Sequence, residues 1–200
     1  ITPNMTSDGH DTSVTVAGAF TRNFLEPLLN NPNFMKNTLV LVTFDETETY
    51  TIPNRVFSIL LGDALPSNLV GTTDSNFYSH YSELSSVEAN WGLHTLGKWD
   101  VGANVFNFVA QKTGDVLRSW PALTGPTPTV FLNSSFAGPF NSVKSNLGYP
   151  VPNTSLVRNG RSVLPAIVKK WGSAALQART YYKDTVEIPD GNNPPTGWAN

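Results

Sequence analysis

Thr38-Leu39-Val40-Leu41-Val42-Thr43-Phe44-Asp45-Glu46 is the stretch that decides how this chain is read. Its first seven residues are a short, continuous, β-branched-rich run, the pattern of a strand buried on both faces. The run ends abruptly on two adjacent carboxylates. Upstream, Val16, Phe20, Phe24 and Leu28 recur at a four-residue spacing. They predict a helix from about Val14 to Leu29 with one buried stripe, capped from Asp11-Thr-Ser. Pro27 lies where it can bend the last turn, and Asn30-Asn-Pro-Asn breaks the helix. A helix followed by a buried strand is an α/β signature. In open α/β sheets ligands bind beyond the carboxyl ends of strands, and Asp45-Glu46 stands at such an end.

Downstream, Arg55-Val-Phe-Ser-Ile-Leu-Leu-Gly reads as a second strand, and 62–79 as a loop. A helix is expected from about Ser82 to Leu96, with Ser79 or Ser82 as its cap, and a shorter one from about Asn104 to Lys112, stopped by Gly114. Residues 119–160 change texture: Pro, Gly, Ser and Asn dominate, with short apolar pieces such as Thr129-Val-Phe-Leu. They read as an ordered, irregular extension wrapped on the core. Two helices, about Ser162–Trp171 and Ser173–Tyr182, are expected to close the chain. The division expected is therefore 1–118 for the core and 119–200 for an irregular and helical extension packed on it. No internal repeat is visible.

Hydrophobic residues make up 40% of the 200, and charged residues 14%, the balance of a folded chain. Five Trp, six Tyr and eleven Phe supply core material. The net charge of −2 is unevenly spread. Residues 1–100 hold four Lys/Arg against eleven Asp/Glu, and residues 101–200 hold nine against four. All three His lie in the acidic half, a composition able to hold a cation. No dense basic stripe occurs, so no nucleic-acid partner is expected. There is no Cys, hence no disulfide and no thiolate metal site. No apolar run is long enough to span a membrane. Three N-x-S/T sequons, at Asn4, Asn133 and Asn153, are acceptor sites if the chain is secreted. The opening Ile1-Thr-Pro-Asn, without an initiator Met, reads as a processed or truncated product. Nucleophile-elbow, P-loop, dinucleotide and zincin motifs are all missing, so the classical Ser hydrolase, P-loop NTPase, dinucleotide and zincin readings lose their support.

Five side chains are weighed for chemistry. Asp45 and Glu46 offer hard oxygen ligands for a divalent cation beside a phosphate, or else form a solvated acidic turn with Glu48. His10, in Asp8-Gly-His-Asp before the first helix, can bind a metal or, protonated, donate to a phosphoryl oxygen; it can equally cap locally. His80, in Tyr78-Ser-His-Tyr-Ser, either aims at a site or satisfies a helix terminus. His94, in Trp91-Gly-Leu-His-Thr-Leu, reads as a hydrogen-bonded core histidine inside a helix.

Pro3-Asn-Met-Thr-Ser-Asp-Gly-His-Asp, Thr38 to Glu46, and Phe77-Tyr-Ser-His-Tyr-Ser-Glu-Leu-Ser-Ser-Val-Glu-Ala-Asn-Trp-Gly-Leu together resemble the secreted fungal acid phosphatases. These belong to a phosphoesterase family that also holds bacterial phospholipases C and acid phosphatases, within the alkaline-phosphatase-like superfamily. The order of a loop His, a helix, a strand ending in Asp-Glu and a His-bearing helix start suits that family. Pro152-Asn-Thr-Ser-Leu-Val-Arg-Asn-Gly-Arg and Val186-Glu-Ile-Pro-Asp-Gly resemble its fungal branch, so the resemblance covers nearly the whole chain.

The resemblance implies an α/β fold, an αβα sandwich of alkaline-phosphatase type, with residues 1–118 the C-terminal part of its catalytic core. It implies that Asp45 and Glu46 ligate a divalent metal ion, that His10 contacts the phosphoryl group or leaving oxygen, and that His80 is a second catalytic histidine. It further implies a small-molecule phosphate ester substrate and a secreted or cell-wall location. The family's Glu-Asn metal pair and hydroxyl nucleophile have no match here, so an upstream part of the same polypeptide is an expected partner. After Asp-Glu the chain continues Thr47-Glu-Thr-Tyr, where phospholipase relatives continue towards Asp-His, and this favours the phosphatase branch. The competing expectations are a phospholipase C-type phosphodiesterase and a non-catalytic secreted glycoprotein fragment.

Overall fold

In the first turn after α1 the chain already departs from a simple helix-then-strand layout. The computed structural model describes residues 1–49, 54–119, 151–177 and 182. They fall into two compact units, Ile1–Phe44 with Val56–Thr72, and Asp45–Arg55 with Thr73–Asn200.

In the first unit, helix α1 spans Val14–Leu29, as its periodicity predicts. Ser13 is extended and caps it, its Oγ accepting the Val16 N–H at 3.4 Å. The stripe is not buried: Val16 and Phe24 are 41% and 38% exposed, and Phe20 stacks on Phe24 with ring centroids 6.1 Å apart. The run that ends α1 also starts α2, Pro32–Met35. Asn31 Oδ1 accepts the N–H groups of Asn33 and Phe34, and Pro32 fills a first-turn position that needs no donor.

Strand β1, Val40–Val42, pairs antiparallel with β2, Ile59–Leu61, with Val40 opposite Leu61 and Val42 opposite Ile59. Both are shorter than the apolar runs that predicted them. β1 is half-buried along its length rather than buried on both faces, because β2 is its one ladder neighbour among the described residues. The ladder continues into side chains: Thr43 and Ser58 hydroxyls meet at 2.8 Å, and Phe44 packs edge-on to Phe57 at 5.3 Å. At the far end Gly62 has φ +114°, and a Cβ there would stand 2.1 Å from the Thr38 carbonyl oxygen. Only glycine lets the two backbones close so tightly.

In the second unit, α3 spans His80–Trp91. Ser79 is its N-cap residue, and Ser82 Oγ reaches back to accept the Ser79 N–H at 3.1 Å. Gly92, left-handed at φ +61°, ends the helix before the expected Leu96. The inner face of α3 carries Ser82, Ser85, Ser86 and Ala89, all buried. Such small residues let α4, Trp99–Gly102, and α5, Asn107–Thr113, pack closely. Their hydroxyls are satisfied: Ser85 donates to the Ala103 carbonyl at 3.3 Å, and Ser86 Oγ accepts the Phe106 N–H at 2.9 Å. Val101, Val105, Phe108, Val109, Ala110 and Val163 form the apolar centre. As expected, α5 stops at Gly114, φ +76°.

Residues 151–164 are more regular than the extension expected there. β3, Val157–Arg158, and β4, Arg161–Ser162, form a hairpin whose two-residue turn, Asn159-Gly160, has positive φ at both positions. Asn-Gly favours that turn because both residues tolerate the left-handed region. One helix, α6, Pro165–Gln177, then runs through Gly172 in place of the two expected helices. Residues 178–181 of the second lie outside the described residues, as does Thr129-Val-Phe-Leu. Tyr182 is buried, and Trp99 stands between it and Tyr81 at 5.2 and 5.3 Å.

The hairpin brings Arg158 and Arg161 to Asp115, whose side chain is fully buried. Arg161 grips it with Nη2 at 2.7 Å and Nη1 at 3.2 Å, and Arg158 Nε lies at 3.4 Å. Thr113 Oγ1 at 2.7 Å and Asn159 Nδ2 at 3.3 Å complete the set. Burial pushes the Asp115 carboxyl up, but Arg161, Thr113 and Asn159 together hold it below its ordinary value. The chain is thus a mixture of helices and small sheets, and no helix among the described residues is long and apolar enough to cross a membrane.

Candidate active site

Asp45 and Glu46 follow β1 in a turn of the second unit that is fixed by its own side chains. Asp45 Oδ1 accepts the Glu46 N–H at 3.0 Å. Asn54 pins the turn from across the loop: its Oδ1 accepts the Thr47 N–H at 2.7 Å, and its Nδ2 donates to the Asp45 carbonyl at 3.2 Å. Both carboxylates are exposed.

His80 opens α3 and reaches back 35 residues to this turn, with Nε2 2.8 Å from the Asp45 carbonyl oxygen. A carbonyl only accepts, so Nε2 carries the proton and donates it. Nδ1 faces Glu83 Oε1 at 3.4 Å, one turn along the helix. Only the doubly protonated ring donates to both. The pair with Glu83 is half exposed and therefore screened, so the backbone contact to Asp45 is the more consequential one. His80 thus clasps the acidic turn, while Ser79 and Ser82 cap the terminus of α3.

His10 belongs to the first unit. Its loop is closed by Asp11 N–H to the Met5 carbonyl at 2.9 Å and by Thr12 Oγ1 to the Thr6 carbonyl at 2.9 Å. Asp8 Oδ1 accepts the His10 N–H at 2.9 Å. Gly9, φ +96°, allows the loop to abut α1, where a Cβ would stand 3.3 Å from that of Ala17. The backbone at His10 is held and the residue is exposed.

His94 departs from expectation. It is neither helical nor buried, because Gly92 terminates α3 two residues earlier. It is hydrogen-bonded, with Nδ1 3.1 Å from the Ser162 carbonyl and 3.2 Å from Ser162 Oγ. The sequons also separate. Asn4 is exposed, and its Oδ1 accepts from Thr6 Oγ1 at 2.8 Å. Asn153 is half-buried, and its Nδ2, the atom a glycan would occupy, donates to the Tyr182 carbonyl at 2.9 Å. Asn133 lies outside the described residues.

Among the described residues no cluster of three or more His, Asp or Glu is arranged to hold a metal ion. Asp45 and Glu46 are adjacent hard oxygen donors on an anchored turn, a chemistry that suits a divalent cation.

The stretch that contains His10, Asp45, Glu46 and His80 is also the stretch recognised by comparison. Residues 1–94 match the model of the Phosphoesterase family. That match takes in just under half of the chain. Beyond it, the chain is 52% identical over 195 residues to a phosphate-repressible acid phosphatase of Penicillium chrysogenum, covering 96% of this chain and 46% of that protein. It is 47% identical over 158 residues to an acid phosphatase of Aspergillus fumigatus, covering 79% and 34%. It is 44% identical over 173 residues to one of Aspergillus niger, covering 85% and 40%. The chain therefore spans less than half the length of each of these acid phosphatases. No solved structure matches it.

Proposed function

We propose that this chain carries the Asp-Glu and histidine portion of an acid phosphatase active site that hydrolyses phosphate monoesters. The observation that carries the reading is the anchored Asp45-Glu46 turn clasped by His80, in a chain similar over most of its length to proteins named acid phosphatases. Asp45 and Glu46 hold part of a divalent metal ion's shell. Such an ion supplies neutralisation of phosphoryl charge. His10 meets the phosphoryl group or the leaving oxygen, where a cationic imidazole stabilises developing negative charge. His80 acts through the turn: its N–H to the Asp45 carbonyl sets the direction in which the two carboxylates project. The catalytic hydroxyl and the remaining ligands come from an upstream part of the same polypeptide, which also completes an αβα core of alkaline-phosphatase type. Secretion to the medium or cell wall fits the exposed Asn4 sequon.

The test uses a longer form that includes the upstream part, beside residues 1–200 alone, on p-nitrophenyl phosphate and on a choline-phosphate diester at acid pH. Asp45→Asn in the longer form is expected to remove bound metal and monoester turnover together while its circular dichroism is unchanged. Full activity in that variant overturns the site. A preference for the diester overturns the substrate class. Turnover by 1–200 alone at about 10 s⁻¹ overturns the upstream nucleophile.

A further inference from the structure

Behind the hairpin, two carboxyl groups meet in the interior of the second unit. Glu88 on α3 is 3% exposed, and Asp100 on α4 is 1% exposed. α3 packs against α4, and the Asp100 carboxyl bears on Glu88 through its charge and its hydrogen bonding. Asp100 is provided for: Oδ2 accepts the Leu96 N–H at 2.7 Å, and Oδ1 accepts the Lys98 N–H at 2.9 Å. Glu88 is not, since neither of its buried oxygens has a donor among the described residues. A buried, ionised carboxylate without donors is strongly disfavoured, whereas a neutral one can donate.

We propose that Glu88 keeps its proton in the folded chain and donates it to the Asp100 carboxylate, and that this shared proton is an acid-side latch between α3 and α4 that opens in alkaline medium. The interior charge supports it. Asp100 and Asp115 balance Arg158 and Arg161 only if Glu88 is neutral. The charged groups facing Glu88 are Asp100 from α4, which favours its protonated form, and Arg161 from β4, which opposes it. Arg161 has both Nη atoms committed to Asp115, while its Nε is buried without an acceptor among the described residues. On losing its proton, Glu88 is repelled by Asp100 and drawn towards that Nε, so release has a direction. From α5, Lys112 lies outward over the Phe108 ring and does not enter the balance. Burial first, then the charge and hydrogen bond of Asp100, push the Glu88 carboxyl up to about 8, against the smaller pull of Arg161.

The folded chain thus binds a proton that the unfolded chain gives up near the ordinary glutamate value, and stability falls as pH rises between the two. The same helix begins at His80, so loosening α3 also loosens the clasp on Asp45. The latch does not depend on the phosphatase reading, and its test needs no activity.

Thermal unfolding of the 200-residue chain is followed from pH 6 to pH 9. The wild type is expected to lose on the order of 5–10 °C across this range. Glu88→Gln, which donates to Asp100 but does not titrate, is expected to flatten that limb. A flat wild-type limb, or an equally steep one in Glu88→Gln, overturns the proposal. If the variant does not fold, carbon-13 NMR of glutamate carboxyls in the wild type decides. A resonance titrating near 8 sustains the latch, and an all-acidic set of midpoints overturns it.

Discussion

Asp115→Ala removes one carboxylate and leaves two guanidinium groups in the interior, which makes it a demanding perturbation of the second unit. The Arg158 and Arg161 side chains are 5% and 9% exposed. Arg158 keeps acceptors in the Val101 carbonyl at 3.2 Å and the Val116 carbonyl at 3.1 Å. Arg161 loses the partner of both Nη atoms, and Thr113 Oγ1 and Asn159 Nδ2 lose an acceptor. Breaking a buried pair from one side costs about 3–5 kcal/mol. Because Arg158 retains two partners and Arg161 does not, the cost is assigned mainly to Arg161. The expected loss is about 4 kcal/mol, or a melting temperature lower by about 8–16 °C. Urea unfolding, read by tryptophan fluorescence and circular dichroism, gives the value. Adding Arg161→Met to the variant removes the stranded charge and should recover at least about 1 kcal/mol. A loss below about 1 kcal/mol for Asp115→Ala, or no recovery in the double variant, refutes the reasoning. The pH sign is opposite to that of Glu88. The Asp115 carboxyl is held low, so its contribution is present above the ordinary aspartate value and is lost as pH falls through the depressed one.

Two further outcomes follow from backbone geometry. Gly62→Ala places a Cβ 2.1 Å from the Thr38 carbonyl oxygen at φ +114°, which β1 and β2 cannot absorb without parting; a cost above about 2 kcal/mol is expected, and undiminished hydrogen-exchange protection at Val40–Val42 would contradict it. On the proposal that Asp45 and Glu46 hold a divalent cation, His80→Ala in a longer form is expected to weaken its affinity by about tenfold, while His80→Gln, whose amide can still donate to the Asp45 carbonyl, keeps most of it; equal affinity in all three proteins would show that the clasp does not matter.

Local signals in the sequence were legible wherever chemistry within a few residues decides the outcome. Helix α1 has the predicted ends because Ser13 supplies a cap and Asn30 a stop. α5 ends on Gly114 for the same kind of reason. The Asp45-Glu46 turn and His80 were singled out by residue type and position, but their direct link spans 35 residues and has no local trace. Burial was misjudged at β1 and on the α1 stripe because it depends on what covers a face, which periodicity does not encode. Helical patterning around His94 extends past Gly92, whose left-handed conformation ends α3 and has no local sequence mark apart from the glycine itself. The hairpin did leave a signal, Asn159-Gly160, hidden within a stretch whose Pro and Ser content suggested irregular chain. The carboxylate interior around Asp115 and Glu88 left none, since its members come from α3, α4, the loop after α5 and the hairpin.

The Asn159-Gly160 hairpin also imposes an order of events during synthesis. Asp115 emerges from the ribosome 46 residues before Arg161, the residue that grips it most closely. Until the hairpin is made, α3, α4 and α5 can approach one another through their small-residue faces, but Asp115 has to remain in water. Contacts so distant along the chain form late, because loop closure precedes any gain from them. The second unit consequently closes from its C-terminal side: Asp115 has no buried partner until Arg158 and Arg161 have been made, and the buried Val163 and Tyr182 follow later still.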